Sequence, residues 1–334
     1  MSWYKGTGNE SGIVLSTRVR LARNSADFPF PVRLGIKDKE QVCLAVKEAI
    51  ADYVDDTLTY TDMSALTPTE AVSLAEKHLI SPEFAYERDG RALLLSENED
   101  VSIMLCEEDH VRIQVIFPGL ALSEAYEKAD KIDNVLEKKL NYAYKEPIGY
   151  LTQCPTNLGT GMRASVLMHL PALSRKGAMR RLSATVAKLG LTLRGSFNEG
   201  GDGAGNIYQL SNQVTLGISE AAALQNLSSI AMQIVTQEKQ ARALLVKDED
   251  FIDKIYRSWG ILRSAYKLTS QELMSLISFV SVGACEGIID VPCDRLTAAA
   301  IELQPASLSV AENKKLTQNQ RDILRAQKVK ELLE

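Results

Sequence analysis

The chain has 334 residues, 45% apolar and 24% charged, a balance typical of a soluble globular protein with a sizeable core. Its formal net charge of −5 argues against nucleic acid or an anionic membrane surface as a partner. Five scattered cysteines without a Cys-x-x-Cys pair, and only three histidines, argue against a disulfide framework and against a metal site built by the protein. With no signal peptide and no apolar run of the roughly 20 residues that span a membrane, we expect a cytoplasmic protein.

Strand and helix patterns alternate over the first part of the chain. The spacing of apolar residues predicts an extended segment at 13–21 and an amphipathic helix within 37–54. Three strands are predicted at 91–96, 101–106 and 111–117, separated by polar turns. In the third strand the apolar residues share one face and the polar residues share the other. This alternation predicts an antiparallel meander with one face on the core and one polar face where a ligand can bind.

A change of pattern near residue 246 predicts a second domain. Before it, we expect a helix that begins at Ser123, strands at 163–170, 189–194 and 207–210, Gly-rich loops at 152–161 and 195–205, and a helix from Ser219 to about Leu245. After Lys247 the pattern is nearly all helical, with capping boxes that begin at Thr269 and Thr317. The sequence therefore predicts domains at 1–246 and 247–334.

Two short segments combine charges in patterns that suit phosphate chemistry. In an extended chain Arg18 and Arg20 point the same way, and paired guanidinium groups suit phosphate; two solvated surface arginines are the ordinary alternative. Three acidic residues at 107–109 lie just before Arg112. A carboxylate beside an anion-binding arginine can orient and deprotonate a nucleophile in phosphoryl transfer, whereas the ordinary alternative is a solvated turn.

Two Gly-rich segments are further candidates. Gly159 and Gly161 allow close approach of the backbone to a ligand, and a thiolate is favoured at Cys154 if cations lie nearby. The ordinary alternative is an inert cysteine beside a Gly turn, and the segment does not match a P-loop. The loop after Arg194 resembles a lid that closes over reacting phosphates, with a floppy surface hairpin as the alternative.

Together these segments closely resemble the ATP:guanidino phosphotransferases, the phosphagen kinases, over roughly residues 10–245. The similarity is carried by CPTNLGTGMR at 154–163, EEDHVR at 107–112 and STRVR at 16–20. Within that superfamily the chain resembles the bacterial protein-arginine kinases. Because the STRVR motif lies so close to the N-terminus, we expect the helical N-terminal domain of the small-substrate kinases to be absent. The lid segment reads RGSFNEG, and RDILRA at 321–326 matches the RDxxRA motif with which the protein-arginine kinases bind phosphoarginine.

The resemblance implies an α+β fold, with an antiparallel sheet flanked by helices and followed by an all-α C-terminal domain. It implies that Glu108 takes the proton of the substrate guanidinium, that Cys154 orients this group, and that Glu199 supports them on the lid. Arg18, Arg20, Arg112, Arg163 and Arg194 would surround the ATP phosphates. The complete set of implied ATP contacts is Ser16, Thr17, Arg18, Val19, Arg20, His78, Arg112, Arg163, Ala164, Ser165, Val166, Leu167, Arg194, Gly195, Ser196, Phe197, Asn198 and Glu199.

The resemblance also implies cofactors and partners. ATP would come with Mg²⁺ held mainly by the nucleotide and water, so no protein ligand of the metal is expected. The expected partners are proteins with exposed arginines, an activator protein, a Clp-type protease and further copies of the chain in a homodimer or higher oligomer. The expected role lies in stress response and protein quality control. Phosphoarginine would bind allosterically at Arg321, Asp322, Arg325 and Ala326.

Two alternatives stay open at this point. A kinase for free arginine or another small guanidino compound would use the same motifs, but the missing N-terminal domain leaves little to enclose a small substrate. A non-catalytic regulator or adaptor would need neither Glu108 nor the five arginines. The chain departs from the family pattern at three positions: Cys106 stands where relatives commonly have Asn, Leu167 where creatine kinases have a nucleotide-binding His, and Asn198 in place of a lid Gly.

Overall fold

The computed structural model describes residues 2–196 and 204–333. In these ranges the strands are β1 (Val14–Arg23), β2 (Leu58–Asp62), β3 (Ala92–Ser96), β4 (Val101–Leu105), β5 (Val111–Pro118), β6 (Tyr144–Lys145), β7 (Gly149–Tyr150), β8 (Met162–His169), β9 (Leu191–Gly195) and β10 (Ile207–Asn212). The α-helices there are α1 (Ile36–Ala49), α2 (Pro68–Glu76), α3 (Pro82–Tyr86), α4 (Leu122–Glu137), α5 (Pro171–Arg175), α6 (Met179–Ala187), α7 (Glu220–Leu245), α8 (Glu249–Ser264), α9 (Ser270–Cys285), α10 (Cys293–Glu302), α11 (Pro305–Ala311) and α12 (Gln318–Leu333).

Eight of the described strands form one antiparallel sheet in the order β2-β3-β4-β5-β1-β8-β10-β9. The central strand β1 places Arg20 opposite Gln114 of β5 and opposite Arg163 of β8. Further out, Gln209 of β10 lies opposite Arg194 of β9. Because directly opposed residues project to the same side of a sheet, this register collects Arg18, Arg20, Arg112, Arg163 and Arg194 on one face.

The other face of the sheet carries the main hydrophobic core. Val19, Ile113 and Val166 are buried there, and the amphipathic helix α4 packs against the sheet through Ala129 and Ile132. Burial of these apolar side chains is the dominant stabilising term for this layer. The arginine-bearing face is thereby left for the site.

The strands and helices predicted from apolar spacing are confirmed, with ends that move by a few residues. The polar face of the meander is less open than alternation alone predicts, because Gln114 is buried. Its amide donates to the carbonyl oxygens of His78 and Leu79 at 2.9 and 3.0 Å. The segment that follows α2 therefore covers this face and forms one wall of a cavity.

The region after α7 is helical, as predicted, and it packs on the end of the sheet. Its core includes Leu262, Val280 and Leu296 and continues into Trp3 and Leu167 of the preceding part. The expected fold class, an antiparallel sheet flanked by helices and followed by a helical region, is confirmed. The division into domains at residue 246 stays a prediction. Within the described ranges, no helix combines the length and the apolar character that a membrane span requires.

Candidate active site

A cavity of about 400 Å³ lies on the arginine-bearing face of the sheet. We call it the large cavity. Its walls come from β1, β4, β5 and β10, from the segment between α2 and α3, and from Gln304 of the C-terminal region. The lining residues are Arg18, Arg20, Ala75, Glu76, His78, Ile80, Ser81, Pro82, Glu83, Met104, Arg112, Gln114, Ser196, Gln209 and Gln304.

Arg18 and Arg20 of β1 place their guanidinium groups in this cavity, where the loss of water contacts disfavours the charged form. Burial and the charges of Arg112 and Arg163 lower the pKa of Arg18 to about 10, and burial lowers the pKa of Arg20 well below its usual range. Arg18 donates to the Gln209 amide oxygen at 2.8 Å, a neutral partner. The Arg20 Nε atom is buried without a hydrogen-bond partner among the described residues. Such clustered cations suit a polyanion that supplies the missing acceptors.

A smaller pocket of about 150 Å³ adjoins the large cavity and shares Arg20 and Arg112 with it. We call it the small pocket. Glu108 borders it, and the Glu108 carboxylate lies 3.2 Å from an Arg112 guanidinium nitrogen. Burial raises the pKa of Glu108, while the nearby Arg112 charge opposes this shift. A carboxylate with a raised pKa is the better proton acceptor, so Glu108 has the properties of a general base.

Glu107 holds Arg112 in place between the two spaces. Its buried carboxylate lies 2.7 Å from Arg112 Nη1 and accepts hydrogen bonds from the Ser81 hydroxyl at 2.7 Å and the Glu108 backbone N–H at 2.8 Å. These contacts fix both the arginine and the start of the turn that carries Glu108. Glu107 belongs to the EEDHVR motif, but no local pattern in the sequence predicts this positioning role.

Cys154 also borders the small pocket and lies at the start of a short 3₁₀ turn. Its Sγ atom is 3.0 Å from the Thr156 hydroxyl. The chain then returns to the sheet through Gly161, whose φ of +61° and tight packing exclude a side chain, since a Cβ there would lie 2.6 Å from the Ala22 carbonyl oxygen. The Gly-rich segment thus brings Cys154 and Arg163 to the same pocket as Glu108.

His78 lines the large cavity beside the guanidinium groups. Its ring stacks on Trp3 with ring centroids 5.7 Å apart. Burial, and to a lesser degree the charge of Arg18, lower the pKa of His78 to about 3. The ring is therefore neutral at pH 7 and offers a flat surface rather than a charge.

The remaining predicted ATP contacts lie on both faces of the sheet, because successive residues of a strand point to opposite sides. Thr17 and Val19 project to the opposite side of β1 from Arg18, and the Thr17 hydroxyl donates to the Gly119 carbonyl at 2.7 Å. Ser165 lies opposite Arg18 in the register. Ser16 is buried in β1, Ala164 and Val166 belong to the main core, and Leu167 belongs to the core of the C-terminal helices. Arg194, Gly195 and Ser196 lie at the end of β9. Phe197, Asn198 and Glu199 lie outside the described residues.

The C-terminal motif is not part of these pockets. Arg325 is 1% exposed and donates to the carbonyl oxygens of Leu303 and Leu268 and to the Asp322 carboxylate at 2.6 Å. Ala326 is buried, whereas Arg321 and Asp322 are partly exposed. Of the four predicted phosphoarginine contacts, Arg321 and Asp322 are therefore the accessible ones, and Arg325 holds α12 against its neighbours.

Several lining residues escape sequence reasoning. Gln209 and Gln304 are ordinary polar residues, and no local pattern marks them. Glu76 lies two residues before His78 in EKH, and its side chain caps the start of α11. Among the described residues, no cluster of three or more His, Cys, Asp or Glu side chains is arranged to hold a metal ion.

The comparisons with known proteins agree with this geometry. Residues 41–241 match the family model described as ATP:guanido phosphotransferase, C-terminal catalytic domain, and residues 248–334 match that of the protein-arginine kinase McsB C-terminal domain. A protein-arginine kinase of Halothermothrix orenii is 45% identical over 98% of this chain and 95% of its own length. One of Brevibacillus brevis is 45% identical over 99% of this chain and 95% of its own length.

Solved structures show the same fold. Lombricine kinase superposes with a TM-score of 0.62 at 25% identity, over 72% of this chain and 69% of that one. The duplicated taurocyamine kinase of Schistosoma mansoni with transition-state analogue components gives a TM-score of 0.62 at 25% identity, over 70% of this chain and 34% of that one. From these matches, and from a cation-lined cavity that adjoins a carboxylate-bearing pocket, we conclude that the chain belongs to the ATP:guanido phosphotransferase family, in its protein-arginine kinase group.

Proposed function

We propose that this protein transfers the γ-phosphate of ATP to the guanidinium groups of arginine side chains in proteins. One observation carries the proposal: the small pocket with Glu108 shares Arg20 and Arg112 with the large cavity. A phosphoryl group bound at these two arginines would face ATP on one side and an acceptor on the other. The protein-arginine kinases that resemble the chain over nearly its full length support a protein substrate.

The residues have separate tasks in this transfer. Arg18, Arg20, Arg112 and Arg163 stabilise the charge that spreads over the transferring phosphoryl oxygens, and they are in place before the reaction begins. The acceptor guanidinium is a poor nucleophile because its pKa is above about 12. Glu108 takes one of its protons as the N–P bond forms and the bond to the ADP oxygen breaks. We propose that Cys154, on the same pocket, orients the guanidinium.

ATP and Mg²⁺ are the cofactors of this proposal. The arginines and the flat neutral ring of His78 fit a nucleotide with a polyphosphate chain. Mg²⁺ would be carried by the phosphates and water, which matches its usual preference for substrate phosphates. Phe197, Asn198 and Glu199 stay predictions as further contacts.

An outer groove of about 590 Å³ supports a polypeptide rather than a free amino acid as the acceptor. It adjoins Glu108 and Arg112 and runs between Pro31–Leu34 and the segment of Glu83 and Glu87. A groove of this size, open on the side of the acceptor pocket, accommodates chain on either side of a target arginine. A free arginine would leave most of it empty.

Regulation and partners belong to the same proposal. Phosphoarginine would bind at Arg321 and Asp322, with Arg325 and Ala326 as the buried support of that surface. We further propose a cytoplasmic enzyme that acts as a homodimer or higher oligomer in stress response, with an activator protein and a Clp-type protease as partners. The similarity to protein-arginine kinases and to the McsB C-terminal domain supports this assignment.

Phosphorus NMR at neutral to alkaline pH tests the activity, because P–N bonds hydrolyse in acid. The protein and Mg-ATP are incubated with an unfolded arginine-rich protein or with free arginine. We expect a phosphoramidate signal on the protein, reduced about 10²–10⁴-fold in Glu108→Gln, which keeps the shape of the side chain but removes the base. Glu124→Gln, an exposed carboxylate on α4, serves as the matched control and keeps full activity.

The possible results separate the alternatives. A signal on free arginine alone would move the assignment to a small-guanidine kinase. Silence in both tubes calls for addition of the activator protein. Persistent silence, with ATP still bound, would contradict the proposal and favour a regulator or adaptor.

A further inference from the structure

Two cysteine thiols meet where α9 ends and α10 begins, outside the site described above. Cys285 is the last residue of α9 and Cys293 is the first residue of α10, and their Sγ atoms lie 3.1 Å apart. A disulfide has an S–S length of about 2.05 Å, so a movement of about 1 Å joins them. Both residues are partly exposed, which gives small solutes access to the pair.

The surroundings of Cys285 favour its thiolate. Arg242 donates to the Gly12 carbonyl oxygen at 2.9 Å, and the Cys285 sulfur lies 3.6 Å from the same oxygen. The hydrogen bond with Cys293 and the contact with Arg242 lower the pKa of Cys285 to about 7, although burial and the charge of Glu286 oppose them. Since the thiolate is the reactive form of cysteine, Cys285 is the thiol of this pair that attacks an oxidant.

Cys293 has the complementary properties. The hydrogen bond with Cys285, burial and the charge of Asp294 all raise the pKa of the Cys293 thiol. Cys293 therefore keeps its proton while its partner reacts. A low-pKa thiolate beside a second thiol is the arrangement of a reversible oxidation site.

We propose that Cys285 and Cys293 form a reversible intramolecular disulfide when the protein meets a peroxide. The Cys285 thiolate attacks one peroxide oxygen, the O–O bond breaks, and hydroxide leaves to take the proton that Cys285 had released. The sulfur of Cys293 then attacks the sulfenic acid at Cys285, and the hydroxyl group leaves with the Cys293 proton as water. Two electrons pass from the thiols to the peroxide, and exchange with a small thiol restores both.

The chain contains a natural control in a second thiol pair. Cys43 and Cys106 are buried, at 2% and 0% exposure. Their mutual hydrogen bond and burial raise the pKa of Cys43. A buried protonated pair reacts slowly, so proximity of two sulfurs without access or a nearby cation is not enough.

The disulfide would form at the contact between the C-terminal helices and the start of the sheet. Gly12 packs on Cys285 so closely that a Cβ would lie 3.0 Å from its sulfur, and β1 begins two residues later. The protonated thiol of Cys285 can donate to the Gly12 carbonyl oxygen and the disulfide cannot, while the hydrogen bond from Arg242 to this oxygen remains. The modification depends on this geometry and is independent of the proposed kinase activity.

Peptide mapping tests the proposal on the intact chain. The protein is treated with hydrogen peroxide, denatured, alkylated and digested with trypsin without reduction. Both cysteines lie in the single tryptic peptide 268–295, which contains no other cysteine. After peroxide we expect this peptide to carry no alkyl group and to be two hydrogens lighter than the free dithiol peptide. Treatment with dithiothreitol before alkylation should restore the doubly alkylated form. Cys43 and Cys106 should stay alkylated as in untreated protein.

Two variants define the order of events. Cys293→Ser should leave a sulfenic acid at Cys285 that dimedone traps, and Cys285→Ser should abolish both the disulfide and the trapped species. Doubly alkylated peptide 268–295 at peroxide doses that oxidise glutathione would overturn the proposal, as would equal oxidation of the Cys43–Cys106 pair. The peptide map of the unmutated protein tests the proposed disulfide even if a variant fails to fold.

Discussion

At the scale of single residues, the large cavity is defined by cations that are poorly compensated. Arg18 donates to the neutral amide oxygen of Gln209, and the Arg20 Nε atom has no hydrogen-bond partner among the described residues. Desolvation lowers the pKa of both groups. The folded protein therefore holds these charges at a cost in stability, which a bound polyanion would offset.

This imbalance predicts opposite effects on stability and activity. Without nucleotide, Arg20→Met should raise the free energy of unfolding by about 0.5–2 kcal/mol, because a desolvated cation whose Nε atom lacks a partner is replaced by an apolar chain of similar length. Stabilisation by ATP, about 2.7 kcal/mol for the native protein at 100 times Kd, should largely disappear. Phosphoryl transfer should fall about 10³-fold or more.

Urea unfolding with and without Mg-ATP measures both effects of Arg20→Met. Arg33→Met is the matched control, since Arg33 is exposed and lies outside the cavity. It should change neither quantity. A loss of stability in nucleotide-free Arg20→Met would show that Arg20 is structural rather than held for a ligand.

At the scale of elements, α11 is tied to the wall of the large cavity by one carboxylate. Glu76, at the end of α2, accepts hydrogen bonds from the backbone N–H groups of Ala306 and Ser307 at 2.9 and 2.7 Å, and from the Ser307 hydroxyl at 2.8 Å. The N-terminus of a helix favours a negative charge. Gln304, which precedes α11, lines the same cavity. The C-terminal helices therefore take part in shaping the predicted nucleotide site.

Glu76→Gln should loosen this connection. Loss of the charge-assisted bonds should lower the free energy of unfolding by about 1–3 kcal/mol. Because His78 lies two residues away in the cavity wall, the KM for ATP should rise more than kcat falls. Steady-state kinetics and urea unfolding give the two readouts.

The control for Glu76→Gln is Glu312→Gln, an exposed carboxylate at the other end of α11. It should leave stability and KM unchanged. If Glu76→Gln lowers stability without any change in KM, the contact stabilises the fold but does not shape the nucleotide site.

At the scale of the whole molecule, all three histidines of the sequence are kept neutral. Desolvation is the first cause of a lowered pKa for His78, His110 and His169. His169 and Asn206 both contact the Ser278 hydroxyl of α9 at 2.8 Å, so one of these neutral rings lies in the contact between the sheet and the C-terminal helices. Protonation would place charges where the molecule has removed water.

The sign of the pH dependence follows from these shifts. A histidine whose pKa is lower in the folded state binds protons more readily when unfolded, so its contribution to stability is complete above about pH 6.5. That contribution is lost progressively as the pH falls from about 6.5 to the folded value, which for His78 is about 3. The free energy of unfolding should therefore decrease by up to about 1.4 kcal/mol per pH unit for each such histidine.

Urea unfolding between pH 7 and pH 4 checks this slope. His78→Phe keeps a ring to stack on Trp3 but cannot titrate. It should reduce the slope of the free energy of unfolding against pH by up to about 1.4 kcal/mol per pH unit, which corresponds to one proton. An unchanged slope would mean that His78 has a similar pKa in the folded and unfolded states.

Local patterns were sufficient for much of the fold. The alternation in 111–117 predicts a strand, and Ser219 predicts the start of a long helix that the structure shows, with its hydroxyl accepting from the Ala222 N–H. The short helix α2 was not predicted, although Thr67 and Glu70 form its capping box and would have marked it. These signals work because each depends on residues within a few positions of one another.

The sequence by itself determined that apolar faces would form a sheet with flanking helices, and which arginines, carboxylate and cysteine form the family's motifs. Only the tertiary structure decided that Arg20 lies opposite both Gln114 and Arg163, and that Gln304, from the C-terminal region, lines the same cavity. Strand register and helix packing decide such neighbours, because they depend on burial and hydrogen bonding summed over the whole chain.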